Sequence, residues 1–128
     1  MFKVVNKRNL SNEIGWIDIV IDRSSVLGNP FELLDEADRD KVCNAYVVFA
    51  WHAIWLGKEF DLFDYAKKNG LVISKKFKDD REKARNLINQ MIEGVQKGNK
   101  YRLICWCFPK RCHGMELVKM LNYILENS

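Results

Sequence analysis

Residues 101–114 constrain the fold more than any other stretch, because they combine a short apolar run, a turn and the start of a helix. Residues 101–106 form a short apolar run of the kind found in buried strands, and residues 115–125 carry apolar side chains at helical spacing. The intervening turn holds three of the four cysteines, one of the two histidines and a proline. A strand that runs through a turn into a helix is typical of α/β proteins, and it often carries a nucleotide or phosphate site.

The rest of the chain supports an α/β fold. Candidate strands cover residues 2–5 and 14–21, and the short polar link between them suggests that they pair in antiparallel fashion. Apolar spacing predicts helices at 38–57 and 60–68, a third that begins near residue 79, and a last one at 115–125. We therefore predict a small Rossmann-like three-layer domain, with a short, mainly parallel sheet flanked by helices.

Length and composition limit the classes of protein to consider. A chain of 128 residues is about one domain long, so we expect a single α/β domain over 1–128. It has neither an apolar run of about 18 residues nor a secretory leader, so we expect a cytoplasmic protein without a membrane partner. The net charge of +4 suits an anionic ligand but is too small to indicate nucleic acid by itself.

The helix predicted at 38–57 is apolar on two faces, one of which carries Trp51 and Trp55. Both faces must be covered for the helix to be stable in water. We expect the segment that follows to cover the second face, and a homodimer through Trp51 and Trp55 is the alternative.

The cysteines raise the question of a metal. Cys105, Cys107, Cys112 and His113 are residue types that bind zinc. Their spacing argues against a zinc site, because structural zinc sites use ligand pairs two to four residues apart. We therefore expect no metal and no other cofactor, and a metal held by these four residues is the minor alternative. Cys43 lies far away in a helical pattern, and we interpret it as core packing.

A Cys/His nucleophile is a second interpretation of the same turn. The helix dipole would favour a thiolate at Cys112, which makes Cys112 and His113 candidate catalytic residues. As neighbours on a helix they would not face each other. A dyad would instead require Cys105 or Cys107 to meet His113, and a packed thiol beside a capping histidine remains the alternative.

Anion binding is the third interpretation, and it joins several loops. Arg8 and Arg23 follow the first two strands, and Gly28 and Asn29 lie in the next loop. Loops at the carboxyl ends of parallel strands converge on one crevice, where arginines and helix N–H groups suit phosphate. An aromatic side chain could stack on a base, and the candidates are Trp16, Phe31 and Trp106.

Several motifs together resemble a known family. These are Val-Val-Asn-x-Arg at 4–8, Leu-Gly-Asn-Pro-Phe at 27–31 and Cys-Trp-Cys-x-Pro-x-x-Cys-His-Gly at 105–114. With Arg23, they resemble the phage and bacterial family called domain of unknown function 4326. The resemblance implies a small Rossmann-like domain of phage or bacterial origin and no particular reaction. The region around 57–98 departs from the family pattern, and we interpret it as a helical insertion. It selects as site residues Asn6, Arg8, Arg23, Gly28, Asn29, Pro30, Phe31, Cys105, Cys107, Pro109, Cys112, His113 and Gly114.

The sequence thus predicts binding of a nucleotide or ribosyl-phosphate type ligand at the strand ends, for example by a phage protein that sequesters a host nucleotide. A hydrolase or transferase acting on such a molecule through His113 and a cysteine is the first alternative. Enzymes that cleave glycosidic bonds usually need a carboxylate, and Asp18, Asp22 and Glu116 are the candidates. A nucleic-acid or protein-interaction module is the second alternative.

Overall fold

A computed structural model describes all residues, 1–128. Three strands form one sheet in the order β1-β3-β2, and both outer strands run parallel to β3. The strands are β1 (Phe2–Asn6), β2 (Trp16–Val20) and β3 (Lys100–Cys105). The predicted α/β class and parallel sheet are confirmed. The expected antiparallel pairing of the first two strands is wrong, because β3 lies between them.

The connection between β1 and β2 explains this order. Residues 7–15 cross one face of the sheet, and this crossing lets the chain enter β2 in the same direction as β1. The buried Arg102 of β3 fixes the crossing segment, since its guanidinium donates to the Ser11 carbonyl at 2.7 Å and to Asp18 of β2 at 2.7 and 2.9 Å. Lys3 and Arg102 also form ion pairs with Glu13.

Four α-helices follow the predicted segments with shifted ends. They are α1 (Arg39–Phe49), α2 (Leu62–Lys68), α3 (Arg81–Gln96) and α4 (His113–Glu126). Short 3₁₀ turns occupy Lys7–Asn9 and Glu36–Asp38. Helix α1 continues as a π-helical segment, Ala50–Trp55, so the single helix predicted at 38–57 changes its hydrogen-bonding pattern midway. The predicted insertion at 57–98 contains α2 and α3.

Local sequence signals account for these helix ends. Asp61 and Asp80 lie just before α2 and α3, and each side chain accepts a hydrogen bond from a backbone N–H in the first turn. Gly57 ends the π-helical segment with φ of +62°, a conformation that costs a residue with a Cβ.

The hydrophobic core lies between the sheet and helices α1, α3 and α4. Leu103 of the central strand packs there with Leu117 and Leu121 of α4, and all three are fully buried. The helices, the sheet and the 7–15 segment form three layers. Trp51 is partly covered within the chain by Tyr123 of α4, at 5.5 Å between ring centres. The homodimer through this face stays a prediction. None of the helices has the length and apolar character that crossing a membrane requires.

Candidate functional site

Two adjoining cavities lie where the carboxyl ends of the strands meet the first turn of α4. The inner cavity has a volume of about 80 Å³, enough for a few water-sized groups, and the outer cavity has about 200 Å³. Asp22, Arg23 and Trp106 line both cavities, which are therefore two parts of one cleft. The inner part is mostly apolar and contains the thiols, whereas the outer part adds Ser24 and Lys76.

Arg23 lies at the junction of the two cavities. Its Nη2 donates to the Phe31 carbonyl at 2.9 Å, which holds the guanidinium in place. Its Nε is buried and has no hydrogen-bond partner. Buried donors of this kind are rare in folded proteins, because an unpaired N–H away from water costs free energy. The arginine therefore has a fixed orientation and an unused donor, which is the arrangement that suits an incoming anion.

His113 occupies the first position of α4 and lines the inner cavity. Its Nε2 is hydrogen bonded to the Ile21 carbonyl at the end of β2, and the edge of the ring packs against Tyr46 at 5.0 Å between centres. Burial lowers the pKa of His113 to about 4, against a smaller opposing effect from the Ile21 carbonyl. The ring is therefore neutral near pH 7. With Nε2–H donating to the carbonyl, Nδ1 carries the free lone pair.

All four cysteines line the inner cavity, including Cys43. Cys43 is buried in α1, as predicted for a packing residue, but its place in the cavity wall was not expected from the sequence. Cys105 and Cys112 have their sulfur atoms 3.3 Å apart. Neither forms a hydrogen bond with His113, whose ring bonds only to Ile21. The Cys/His dyad considered from the sequence is therefore not formed in this structure.

The thiols differ in acidity. The hydrogen bond from Cys112 lowers the pKa of Cys105 to about 6, and the backbone N–H groups of Phe108 and Cys107 act in the same direction. The same thiol–thiol bond raises the pKa of Cys112, and burial adds to the increase. Burial also raises the pKa of Cys43. Within this pair, the hydrogen bond favours the thiolate at Cys105 and the thiol at Cys112. No group of three or more His, Cys, Asp or Glu side chains is arranged to hold a metal ion.

Trp106 provides an exposed aromatic face at the mouth of the cleft, with 48% of its surface accessible. The Lys7 ammonium and the Arg8 guanidinium lie 5.1 and 5.8 Å from the centre of a Trp106 ring. Asn6 holds this turn in place, since its Nδ2 donates to the carbonyls of Trp106 and Phe108. Arg8 is exposed and lines neither cavity, so it reaches the cleft only through Trp106.

The other aromatic candidates lie elsewhere. Trp16 packs between Lys3 and Lys100 at the opposite end of the sheet, with ammonium groups 4.3 and 5.0 Å from its ring centre. Phe31 is completely buried in the core and has no face free for a base. Of the three stacking candidates, the structure brings only Trp106 to the cleft.

The loop at 27–31 supports the site from behind. The Asn29 side chain lines the inner cavity, accepts a hydrogen bond from the Phe31 N–H at 3.0 Å and is almost fully buried. A Cβ at Gly28 would clash with the Asp22 carbonyl and would lie 2.8 Å from the Arg23 Cα. Gly28 therefore permits two stretches of backbone to approach each other. At Gly114 the close neighbour is a side chain, because a Cβ there would lie 2.8 Å from Ile21 Cδ1.

The three candidate carboxylates lie in different parts of the structure. Asp18 binds Arg102 on the other face of the sheet, and Glu116 is paired with Arg111 and Lys119. Asp22 alone lines the cleft. Hydrogen bonds from Ser24 lower the pKa of Asp22, and Lys7 at 3.8 Å contributes further, so this carboxylate is ionised at neutral pH.

Sequence reasoning missed two cationic residues of the cleft. Arg39, at the start of α1, lines the inner cavity and donates to the Arg111 carbonyl at 2.8 Å. Lys76 belongs to a cationic run interpreted as a solvated loop, and the structure places it on the outer cavity. No local pattern marks either residue, since each comes to the cleft only through the packing of distant segments.

The fold and the site define a class of protein: a small α/β domain with a cationic, thiol-lined cleft at the carboxyl edge of a parallel sheet. The chain belongs to the family described as domain of unknown function (DUF4326), whose model matches residues 5–123. The match covers most of the chain and confirms the resemblance seen in the motifs. Neither the curated proteins nor the solved structures contain a match to this chain.

Proposed function

We propose that this domain binds a nucleotide or a nucleotide-derived, ribosyl-phosphate type anion in the cleft. The observation that carries the proposal is the buried, unpaired Nε of Arg23 at the junction of the two cavities. A phosphate oxygen in the cleft can accept from the Arg23 guanidinium, whose charge is not matched by a carboxylate partner, and can take a second contact from Lys76 in the outer cavity.

The remaining parts of the ligand have matching surfaces. The exposed face of Trp106 suits a base, because every base has a flat face and stacking on an aromatic side chain is favourable. The inner cavity of about 80 Å³ is too small for a whole nucleotide, so it suits one small group of the ligand or ordered water. We assign the neutral His113 to a hydrogen bond with that group through Nδ1.

Isothermal titration calorimetry with AMP, ADP, ADP-ribose and cyclic dinucleotides tests this proposal. Removing the Arg23 guanidinium in Arg23→Ala should weaken binding by about 10- to 100-fold, as expected for a hydrogen bond to a charged group. Trp106→Ala should also weaken it. The matched controls are Lys97→Ala, an exposed cation at the opposite end of the sheet, and Phe63→Ala, an exposed aromatic residue of α2.

Melting curves without ligand show whether each variant is folded. Unchanged affinity in folded Arg23→Ala and Trp106→Ala would remove the support for this cleft, and so would a failure of the whole panel to bind.

A second candidate function is cleavage or transfer at such a ligand, and the position of Asp22 favours it. Asp22 is an ionised carboxylate on the wall of both cavities, and glycosidic-bond chemistry commonly depends on a carboxylate. Chromatography of a bound nucleotide after incubation separates the two functions. A new product that Asp22→Asn no longer forms indicates an enzyme, whereas an intact ligand indicates a binding protein.

A further inference from the structure

Two buried thiols face each other across the wall of the inner cavity. Cys105 ends β3 and Cys112 immediately precedes α4, and their sulfur atoms are 3.3 Å apart. The two residues are only 1% and 2% exposed. Both line the inner cavity, which is therefore their route to solvent. No part of the proposed ligand function uses this pair.

This distance places the thiols close to bonding geometry. A disulfide needs sulfur atoms at about 2.05 Å, so a movement of about 1 Å shared between two side chains is sufficient. The six residues between the two positions form a turn already closed by the Lys110 N–H and the Cys107 carbonyl, at 2.9 Å. This hydrogen bond keeps the turn compact, so that the two ends of the segment stay close together.

We propose that Cys105 and Cys112 form a modification site that small hydroperoxides oxidise to an intramolecular disulfide. The cavity volume of about 80 Å³ holds a few water-sized groups, so it admits hydrogen peroxide more readily than a bulky oxidant. We take Cys105 as the attacking thiol, because the contact with the Cys112 sulfur at 3.3 Å supports its thiolate.

The chemistry balances in two steps. The Cys105 thiolate attacks one peroxide oxygen, the O–O bond breaks, and the departing hydroxide takes up the proton that Cys105 released, giving water and a sulfenic acid. The Cys112 sulfur then attacks the Cys105 sulfur, the S–O bond breaks, and hydroxide leaves with the Cys112 proton as a second water. The two thiols supply the two electrons that reduce the peroxide.

The test uses the full wild-type chain, treated with hydrogen peroxide at neutral pH and then alkylated in denaturant after the peroxide is removed. We expect mass spectrometry to show the loss of two hydrogen atoms, a Cys105–Cys112 cross-link, and alkylation of Cys43 and Cys107 only. Dithiothreitol should reverse the change. Alkylation of all four cysteines, a cross-link to Cys43 or Cys107, or overoxidation of Cys105 without a cross-link would overturn the proposal.

Two further experiments distinguish specific oxidation of this cysteine pair from general reactivity of the thiols. Cys43→Ser removes a thiol from the same cavity wall and should leave the cross-link intact, whereas Cys105→Ser should abolish it. For each oxidant, the rate of its reaction with the protein is divided by its rate with free glutathione. This ratio should be larger for hydrogen peroxide than for the bulky cumene hydroperoxide. Equal relative rates would disprove the cavity route. Neither experiment involves a nucleotide, so the outcome is independent of the proposed ligand function.

Discussion

The imidazole of His113 is hydrogen bonded to the backbone carbonyl of Ile21, and this bond ties the first turn of α4 to the end of β2. The bond lies in the buried wall of the cleft, next to Arg23 and Asp22. Burial, and not this bond, keeps the ring neutral while the rest of the cleft is charged. Four stability predictions concern this contact and its surroundings.

His113 should make folding stability depend on pH between about 4 and 6.5. Its pKa is lowered to about 4 in the folded chain, so the unfolded chain binds the proton first as the pH falls. The contribution of His113 to the free energy of unfolding is therefore fully present above the pKa that the histidine has in the unfolded chain. It declines below that pKa, by about 2 kcal/mol between pH 7 and 5. Urea unfolding at the two pH values measures this difference. His113→Gln should reduce the difference, whereas His52→Gln, which alters the other and exposed histidine, should not.

Tyr46→Phe should destabilise the domain by about 1 to 2 kcal/mol. The buried Tyr46 hydroxyl donates to the Leu27 carbonyl at 2.9 Å, and its removal leaves that carbonyl without this donor. Tyr123→Phe, at an exposed position of α4, is the matched control and should change the free energy of unfolding little. Equal effects of the two substitutions in urea unfolding would contradict the role given to Tyr46.

Asn6→Asp should loosen the turn that carries Trp106. The Asn6 amide donates to two carbonyls of that turn, and a carboxylate would place an acceptor against both of them. We expect a loss of about 1 to 3 kcal/mol, because an exposed and a half-buried carbonyl lose their donor and face a negative charge instead. Asn12→Asp makes the same chemical change at an exposed position of the crossing segment. A comparable loss in Asn12→Asp would show that added charge, not the lost donor, is responsible.

Gly28→Ala should cost about 1 to 3 kcal/mol, because the new methyl group would overlap the backbone of Asp22 and Arg23. Relief of this overlap must displace residues of the cleft, so nucleotide affinity should fall together with the melting temperature. Differential scanning calorimetry and titration of the same sample measure both. A normal melting temperature would show that the loop at 27–31 has room for the methyl group.

The helices and the central strand, which depend on local sequence pattern, were predicted from the sequence. Apolar spacing located the helices, and the run before Cys105 marked a buried strand that proved to be the centre of the sheet. The same reasoning failed for strand pairing. A nine-residue link can either close a hairpin or cross a face of the sheet. The contact that favours the crossing, between Arg102 and Ser11, joins residues 91 positions apart, so local sequence does not indicate it.

The candidate site was predicted in part. Arg23, Asn29, Cys105, Cys107, Cys112 and His113 were selected from the sequence, and the structure gathers them around one cavity. Cys43 and Lys76 could not be selected, because their neighbours in sequence suggest a helix interior and a solvated loop. Phe31 was selected as a site residue from its motif, but its side chain is completely buried in the core and does not line the cavity.

The strand order also has a consequence for the course of folding. Both outer strands depend on β3 for their pairing, and the contact between Asn6 and Trp106 spans 100 residues. During synthesis, β1 and β2 therefore leave the ribosome without a partner, and the sheet can form only after β3 has emerged. Long-range pairing of this kind slows folding and leaves strand edges exposed in the meantime. The cleft is consequently among the last features to assemble, and a nascent chain that lacks β3 cannot form it.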